Sequence, residues 1–138
     1  MDSRLLIAPV AAQALMTLGL LFWMAFHRLK AVRANEARVL DAAASQIAWP
    51  RYAAQAQRSF LNQLETPILF YALVPLLLLT GVHDATFVAL SWAWFASRLV
   101  HAVIHCTNNK IRYRFPAFAL GALILAAMWV LFLVRLMA

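Results

Sequence analysis

The chain has 138 residues, of which 65% are hydrophobic and 12% are charged, and its formal net charge is +7. Soluble domains carry about twice that share of charged residues, so the composition excludes an ordinary soluble domain, and the length fits one domain. Because the positive charge accompanies an apolar excess, it indicates basic loops beside a membrane rather than a nucleic-acid surface. A single cysteine, Cys106, excludes an intrachain disulfide, and no Cys/His set has the spacing of a zinc site.

Four apolar stretches follow one another along the chain, at residues 5–26, about 66–82, 85–104 and 115–134. A helix needs about 20 residues to cross a bilayer core, and lipid satisfies no backbone polar group outside a helix or a closed barrel. The stretches lack the alternation of barrel strands. We therefore predict an all-α integral membrane four-helix bundle that forms a single domain over residues 1–138. Its helices are expected at about 5–27, 58–82, 85–106 and 115–136.

The first stretch is uncharged over 22 residues, which is longer than the core of about 7–15 residues in a cleaved signal peptide. A basic flank, His27-Arg28-Leu29-Lys30, follows it instead of a small-residue cleavage site. We interpret it as a retained transmembrane helix. The polar connection 31–57 is rich in Ala, Arg and Gln, which favours an extension of this helix, and Trp49-Pro50 should break it before a short irregular piece.

Lys and Arg are distributed unequally between the two ends of the predicted bundle. Nine of them lie in the loops after the first and third helices: Arg28, Lys30, Arg33, Arg38, Arg51, Arg58, Lys110, Arg112 and Arg114. The other side has Arg4 and Arg135. This bias predicts that both basic loops are cytoplasmic and that both termini lie on the opposite side. The use of Arg over Lys, and the lack of a sorting signal, favour a bacterial inner membrane.

A polar segment opens the second predicted helix. Arg58, Asn62 and Glu65 follow one another at spacings of four and three residues, which places them on one helix face. This face enters the apolar run at Pro67. Because proline has no backbone N–H, a kink is expected there.

The third predicted helix has a matching polar face formed by Arg98, His101 and His105. A charge at the centre of a membrane helix costs at least ~2.5 kcal/mol, so such residues face the bundle interior and find partners. Glu65 is the acid in the cytoplasmic half of the predicted bundle. We therefore expect an ion pair between Arg98 and Glu65.

A polar pair between helices is often only structural. Two opposed polar faces, followed by the basic loop Lys110, Arg112 and Arg114, instead outline a positively charged cavity that opens to the cytoplasm. Such a cavity suits a small anion that also carries an amine, because the cations bind carboxylates and Glu65 binds the amine. A channel or transporter is a rival interpretation of the intramembrane charges, although no inverted repeat accompanies them.

This ordered set of residues resembles the MAPEG family, the membrane-associated proteins of eicosanoid and glutathione metabolism, in a bacterial-type member. The segments that carry the resemblance are Arg58-x-x-x-Asn62-x-x-Glu65-x-Pro67, Arg98-x-x-His101-x-x-x-His105 and Lys110-Ile111-Arg112-Tyr113-Arg114. The resemblance covers nearly the whole chain. It implies a homotrimer in the lipid bilayer, with glutathione bound as a cosubstrate between neighbouring subunits near the cytoplasmic side.

The resemblance also implies roles for individual residues. It assigns glutathione binding to Arg28, Arg58, Asn62, Glu65, Arg98, His101 and His105. An arginine after the third helix, Arg114 or Arg112, would stabilise the glutathione thiolate, which is the reactive nucleophile. The implied function is a membrane-bound glutathione transferase or peroxidase that acts on a lipophilic small molecule and needs no metal.

Several positions depart from the family pattern. His105 stands where the enzymes commonly have Tyr, and Leu61 stands where some members have a further Arg. Phe115 and Phe118 replace hydroxyl side chains of some enzymes. These departures keep a non-catalytic, lipid-binding membrane scaffold of the same family as the alternative function.

Overall fold

The computed structural model describes residues 3–41 and 46–138. Its elements are α1 (Arg4–Arg33), β1 (Arg38–Asp41), β2 (Gln46–Ala48), α2 (Arg51–Leu61), α3 (Pro67–Thr80), α4 (Ala85–Cys106) and α5 (Ile111–Leu136). Helices α1, α4 and α5 are each long and apolar enough to cross a membrane, and α3 is a shorter apolar helix of 14 residues. The predicted all-α membrane bundle is confirmed, with one small hairpin added to it.

Helix α1 continues beyond the transmembrane helix predicted at about 5–27 into the polar connection, as the predicted extension implies, but it ends at Arg33. Asn35 ends it with a positive φ of 54°. The N–H of Asn35 donates to the carbonyl of Val32 (3.0 Å), and the N–H of Glu36 donates to the carbonyl of Ala31 (2.9 Å). These are the two bonds of a Schellman motif, which satisfies the last carbonyls of the helix.

A two-stranded antiparallel hairpin follows α1, in the connection where the sequence predicted a helical extension and then a short irregular piece. Arg38 pairs with Ala48, and Val39 pairs with Ile47. Residues 42–45 of this connection lie outside the described residues. The Tyr52 hydroxyl donates to the Glu36 carboxylate (2.7 Å), and this bond raises the pKa of Tyr52.

The second predicted helix, 58–82, is divided into α2 and α3 by turns at residues 62–66. After Leu61 the backbone tightens into i→i−3 bonds, from Gln63 to Phe60 (2.8 Å) and from Leu64 to Leu61 (2.9 Å). Pro67 explains the division, because it has no N–H for the carbonyl of Gln63 and its ring clashes with a helical carbonyl there. Proline is well suited to the first position of α3, which it occupies.

The loop between α3 and α4 lies at the same end of the bundle as the C-terminal end of α5. Gly81, with φ +73°, ends α3 in a left-handed conformation. The Asp84 carboxylate then caps α4 by accepting the N–H groups of Thr86 (3.0 Å) and Phe87 (3.3 Å). It also forms an ion pair with Arg135 (2.7 Å), and the hydrogen bond from Arg135 lowers the pKa of Asp84.

The apolar core fills this same half of the bundle. Its buried members are Leu6, Phe70, Leu73, Val74, Leu77, Phe87, Trp94, Leu125, Met128 and Phe132. Phe70 and Trp94 stack with ring centroids 4.1 Å apart. Helices α4 and α5 pack so closely that a Cβ added at Gly121 would lie 2.6 Å from the Ser97 Oγ.

The two basic loops lie together at the opposite end of the bundle. Gln55 of α2 donates to the backbone carbonyls of His105 (2.7 Å) and Thr107 (3.3 Å), where α4 ends. Ser59 of α2 contacts the Cys106 thiol, with Oγ and Sγ 3.2 Å apart. The hairpin, α2 and the α4–α5 loop therefore form one polar end, as the charge distribution predicts; which side of the membrane it faces stays a prediction.

Candidate functional site

A cavity of about 200 Å³ lies at the polar end, where the turns after α2 meet α4 and the first turns of α5. Its lining residues are Asn62, Glu65, His101, Ile111, Arg114, Phe115 and Phe118. Three of these, Asn62, Glu65 and His101, are residues to which the family resemblance gave glutathione binding, and Arg114 is one of the two candidates for the thiolate contact. Residues about 50 positions apart along the chain are thus brought to a single opening.

Arg98 lies behind this cavity and is 1% exposed. Its Nη2 donates to the backbone carbonyl of Asn62 (2.9 Å) and approaches the Asn62 Oδ1 (3.5 Å). The expected ion pair with Glu65 is wrong: in the described chain, Arg98 and Glu65 do not come within ion-pair distance. The reason is the end of α2, which leaves the carbonyl of Asn62 without a helical N–H partner, so that this acceptor takes the guanidinium.

Several buried side-chain nitrogens beside the cavity have no hydrogen-bond partner among the described residues. They include Nε and Nη1 of Arg98, Nδ1 of His101, and both ring nitrogens of His105. His101 and His105 are 2% and 3% exposed, with ring centroids 5.7 Å apart. Buried polar groups are normally paired, so an unpaired set of this kind indicates polar atoms supplied from outside the chain.

Arg114 and Arg112, the two candidates for the thiolate contact, differ in position. Arg114 lines the cavity, and its Nη1 donates to the Asn109 Oδ1 (2.5 Å). Arg112 is exposed and lies over the ring of its neighbour Tyr113, with Cζ 4.7 Å from the centroid. The anchored guanidinium of Arg114 is therefore directed at the cavity, and that of Arg112 is not part of its lining.

Two other predicted residues are not brought to the cavity. Arg58 is exposed on α2, and the turns after Leu61 interrupt the single helix face that was predicted to run from Arg58 to Glu65. Arg28 lies on α1, with Cζ 4.9 Å above the Trp49 ring. Helix α1 packs against α2, α3 and α4 but makes no contact with α5, so Arg28 and Arg114 lie on different sides of one subunit.

Sequence reasoning missed some residues that shape the site. Asn109 orients Arg114, and its signal was an Asn in the turn just before the basic loop. Gln13 donates to Gln63 Oε1 (3.1 Å) and so links α1 to the turns beneath the cavity. Both side chains are buried, and a glutamine inside an otherwise apolar stretch was the signal for this contact.

These features define a helical membrane protein with a cavity at the polar end of its bundle, lined by one arginine and one carboxylate. Comparison with protein families gives a match to the MAPEG family over residues 6–134, and the chain therefore belongs to the MAPEG family. Comparison with curated proteins gives no match. MAPEG proteins include glutathione transferases and peroxidases as well as members with other functions, and the family generally uses glutathione.

Proposed function

We propose that this protein is a membrane-bound glutathione transferase, with peroxidase chemistry as a variant of the same reaction. The observation that carries the proposal is the cavity in which Arg114 and Glu65 face one opening in a MAPEG chain. Glutathione offers two carboxylates, one amine and one thiol. Arg114 and the unpaired guanidinium nitrogens of Arg98 match the carboxylates, and Glu65 matches the amine.

Arg114 is the better candidate for the thiolate contact, because it lines the cavity while Arg112 lies outside it. A guanidinium beside a thiol favours the ionised form and lowers the thiol pKa from about 8.5. The thiolate sulfur then forms a bond to the electrophilic carbon of a lipophilic substrate, and the leaving group departs with the bonding electron pair. With a hydroperoxide, the sulfur attacks the terminal oxygen, the O–O bond breaks, and the alkoxide leaves and is protonated to the alcohol. The thiol of a second glutathione then displaces water from the resulting sulfenic acid to form glutathione disulfide.

The binding site extends beyond one subunit in this proposal. Pockets that enclose a small organic ligand commonly measure about 300–1,000 Å³. The cavity of one chain has only about 200 Å³, and Arg28 lies on the other side of the subunit. A neighbouring subunit of a homotrimer supplies the remaining wall, with its Arg28 and Arg58 facing Arg114 across the interface.

The test is the ultraviolet difference spectrum on adding glutathione to the purified protein, since thiolate absorbs where thiol does not. We expect a thiolate signal whose midpoint in a pH titration lies below the thiol pKa of free glutathione. Replacing Arg114 and Arg112 together by Ala should remove the signal and abolish turnover. Arg114→Ala alone should cost about 10²–10³-fold in turnover, the usual loss of one electrostatic contact to a developing charge.

Arg112→Ala is the matched control, since it removes one cation of the same loop. A loss confined to Arg112→Ala would transfer the thiolate contact to Arg112, and full activity of the double variant would refute both assignments. Calorimetry of glutathione binding, with Glu65→Gln for comparison, separates binding from turnover. No binding at millimolar glutathione would contradict the transferase proposal.

A lipid-binding scaffold is the second candidate, and the apolar wall of the cavity favours it. Ile111, Phe115 and Phe118 line one side, and Phe115 is 65% exposed. Such a wall accommodates a lipophilic molecule with or without chemistry. Lipid binding in the absence of any thiolate signal would identify the scaffold.

A further inference from the structure

The outer face of α1 carries a continuous apolar stripe that ends in two cations. The stripe consists of Leu15, Leu18, Phe22, Phe26 and Leu29, which are 69%, 48%, 70%, 61% and 49% exposed. Their spacings of three and four residues place them on one side of the helix. Lys30 and Arg33 follow on the same side, in the last turn.

The end of this stripe is an open groove of about 450 Å³ lined by Phe26, Leu29, Lys30, Arg33 and Ala34. The last carbonyls of α1 do not repel an anion here, because those of Lys30, Ala31 and Val32 accept the N–H groups that follow the helix. Within the described residues, neither Lys30 nor Arg33 has an acidic partner. Lys30 contacts the Tyr52 ring, with Nζ 5.3 Å from the centroid.

We propose that this groove binds an anionic phospholipid, with its phosphate on Lys30 and Arg33 and its acyl chain along the apolar stripe. The position along the helix fits this ligand. From Leu18 to Lys30 the helix rises about 18 Å, which is comparable to the roughly 15 Å of one hydrocarbon leaflet. A cation pair directly beyond an exposed apolar stripe is therefore placed at the depth of the headgroups.

Charge balance favours a lipid over a second copy of this chain as the occupant. The chain has 12 Lys and Arg against 5 Asp and Glu. On the same polar end, Glu36 already accepts the Tyr52 hydroxyl, and Glu65 lines the cavity between α4 and α5. A neighbouring copy would bring more cations to Lys30 and Arg33, whereas an anionic leaflet supplies the missing phosphates. The groove is also separate from Arg28, which lies beside Trp49 on another side of α1.

The experiment is a lipid titration of the full-length, detergent-purified protein, followed by native mass spectrometry. The two probes are dioleoyl phosphatidylglycerol and dioleoyl phosphatidylcholine, which have the same acyl chains but different headgroup charge. We expect the anionic lipid to be retained in preference to the zwitterionic one. Lys30→Gln/Arg33→Gln should weaken its binding about 25-fold, because each basic residue at an anionic surface contributes about fivefold.

The control variant is Arg38→Gln/Arg51→Gln, which removes two exposed cations from the same end of the bundle and should change binding by less than about twofold. An equal loss in both variants would overturn the site, because it would indicate only the diffuse positive field. Equal retention of the two lipids by the unaltered protein would also overturn it.

Two further measurements distinguish the other occupants of the groove. Inorganic phosphate and glycerol 3-phosphate should fail to displace the lipid at millimolar concentration, and displacement by either would assign the cations to a soluble anion instead. The subunit number of Lys30→Gln/Arg33→Gln, measured in the same spectra, should equal that of the unaltered protein. A change in subunit number would make this face a subunit contact and contradict the lipid site.

Discussion

At the scale of single residues, Asp84 joins two functions in one carboxylate. Its Oδ1 caps α4, and its Oδ2 forms the ion pair with Arg135. The two side chains are 45% and 37% exposed, so the pair has water on several sides and contributes little at neutral pH. Replacing Asp84 by Asn keeps an oxygen for the cap and removes only the charge.

The effect of this pair should depend on pH. The pKa of Asp84 is lower in the folded protein than in the unfolded chain, mainly because Arg135 donates to it. The pair therefore stabilises the fold above the unfolded pKa of about 4 and loses that effect as the pH falls through the lower folded value. We expect Asp84→Asn to lower Tm by at most about 3 °C at pH 7.

Thermal melts of the unaltered protein and of Asp84→Asn, recorded at a series of pH values from neutral to acid, measure this effect. The difference in Tm should be constant from pH 5 to pH 7 and should begin to shrink below about pH 4. It should approach zero once the pH is below the lowered pKa of folded Asp84, where Asp84 is as neutral as Asn. Asp84→Ala should lower Tm further at every pH, because it also removes the cap. A difference that persists unchanged at pH 2.5 would contradict the assigned ion pair.

At the scale of elements, close packing of α4 against α5 fixes the position of the cavity wall, because His101 of α4 and Arg114 of α5 both line it. Gly121 permits this approach, since a Cβ there would lie 2.6 Å from the Ser97 Oγ and 3.6 Å from the Arg98 Cδ. Ser97 is itself held by a hydrogen bond to the carbonyl of Trp94 (2.7 Å). A larger side chain at Gly121 would push α5 away from α4 and move Arg114 relative to His101.

Gly121→Leu should therefore destabilise the bundle by about 1–3 kcal/mol, the usual cost of overpacking a filled interface. Gly19→Leu is the matched control, because the same change in α1 meets nothing within 4 Å. Thermal melts in detergent would measure both. An equal loss of stability in the two variants would show that the loss comes from the added side chain itself rather than from the α4–α5 contact.

The division between α2 and α3 is a second feature of this scale. The end of α2 leaves the carbonyl of Asn62 without a helical N–H partner, and this carbonyl accepts the buried Arg98. Burying an arginine without such acceptors would be costly, so the break in the helix makes Arg98 tolerable inside the bundle. It also turns Asn62 and Glu65 towards the cavity while Arg58 stays on the exposed face of α2.

At the scale of the whole molecule, the proposed homotrimer makes a specific prediction, because its site would combine two subunits. Arg28→Ala and Arg114→Ala each damage one half of the site. In mixed trimers, one subunit with Arg28 intact can adjoin one with Arg114 intact. Co-expression of the two variants in equal amounts should therefore restore the glutathione thiolate signal to about a quarter of the original. With random assembly, one interface in four combines an intact Arg28 with an intact Arg114.

The thiolate difference spectrum of the co-purified mixture measures this complementation, and the two variants mixed after separate purification serve as the control. We expect the native mass of each preparation to equal three copies of the 15.5 kDa chain. A mixture with no more signal than its components would place Arg28 and Arg114 in separate sites.

Much of the architecture was predictable from the sequence, because it depends on properties that are local in the chain. Four apolar runs predicted the helices, and the uneven spread of Lys and Arg predicted that both basic loops lie at one end. The ordered motifs around Asn62, Glu65 and His101 predicted the MAPEG family. Each inference depends on whether a side chain is more stable in lipid or in water, or on residues that lie close together in the sequence.

Other features required the tertiary structure, because they depend on which partner is nearest in space. Arg98 was expected to pair with Glu65 on grounds of charge, yet it bonds to the Asn62 carbonyl, which only the end of α2 makes available. Arg114 and Arg112 are equivalent in sequence, and the bond to Asn109 together with the direction of α5 distinguishes them. The sequence by itself thus determined the membrane-embedded helical bundle and its family, whereas tertiary packing decided the cavity, since hydrogen-bond partners are selected by distance within the folded chain rather than by residue type.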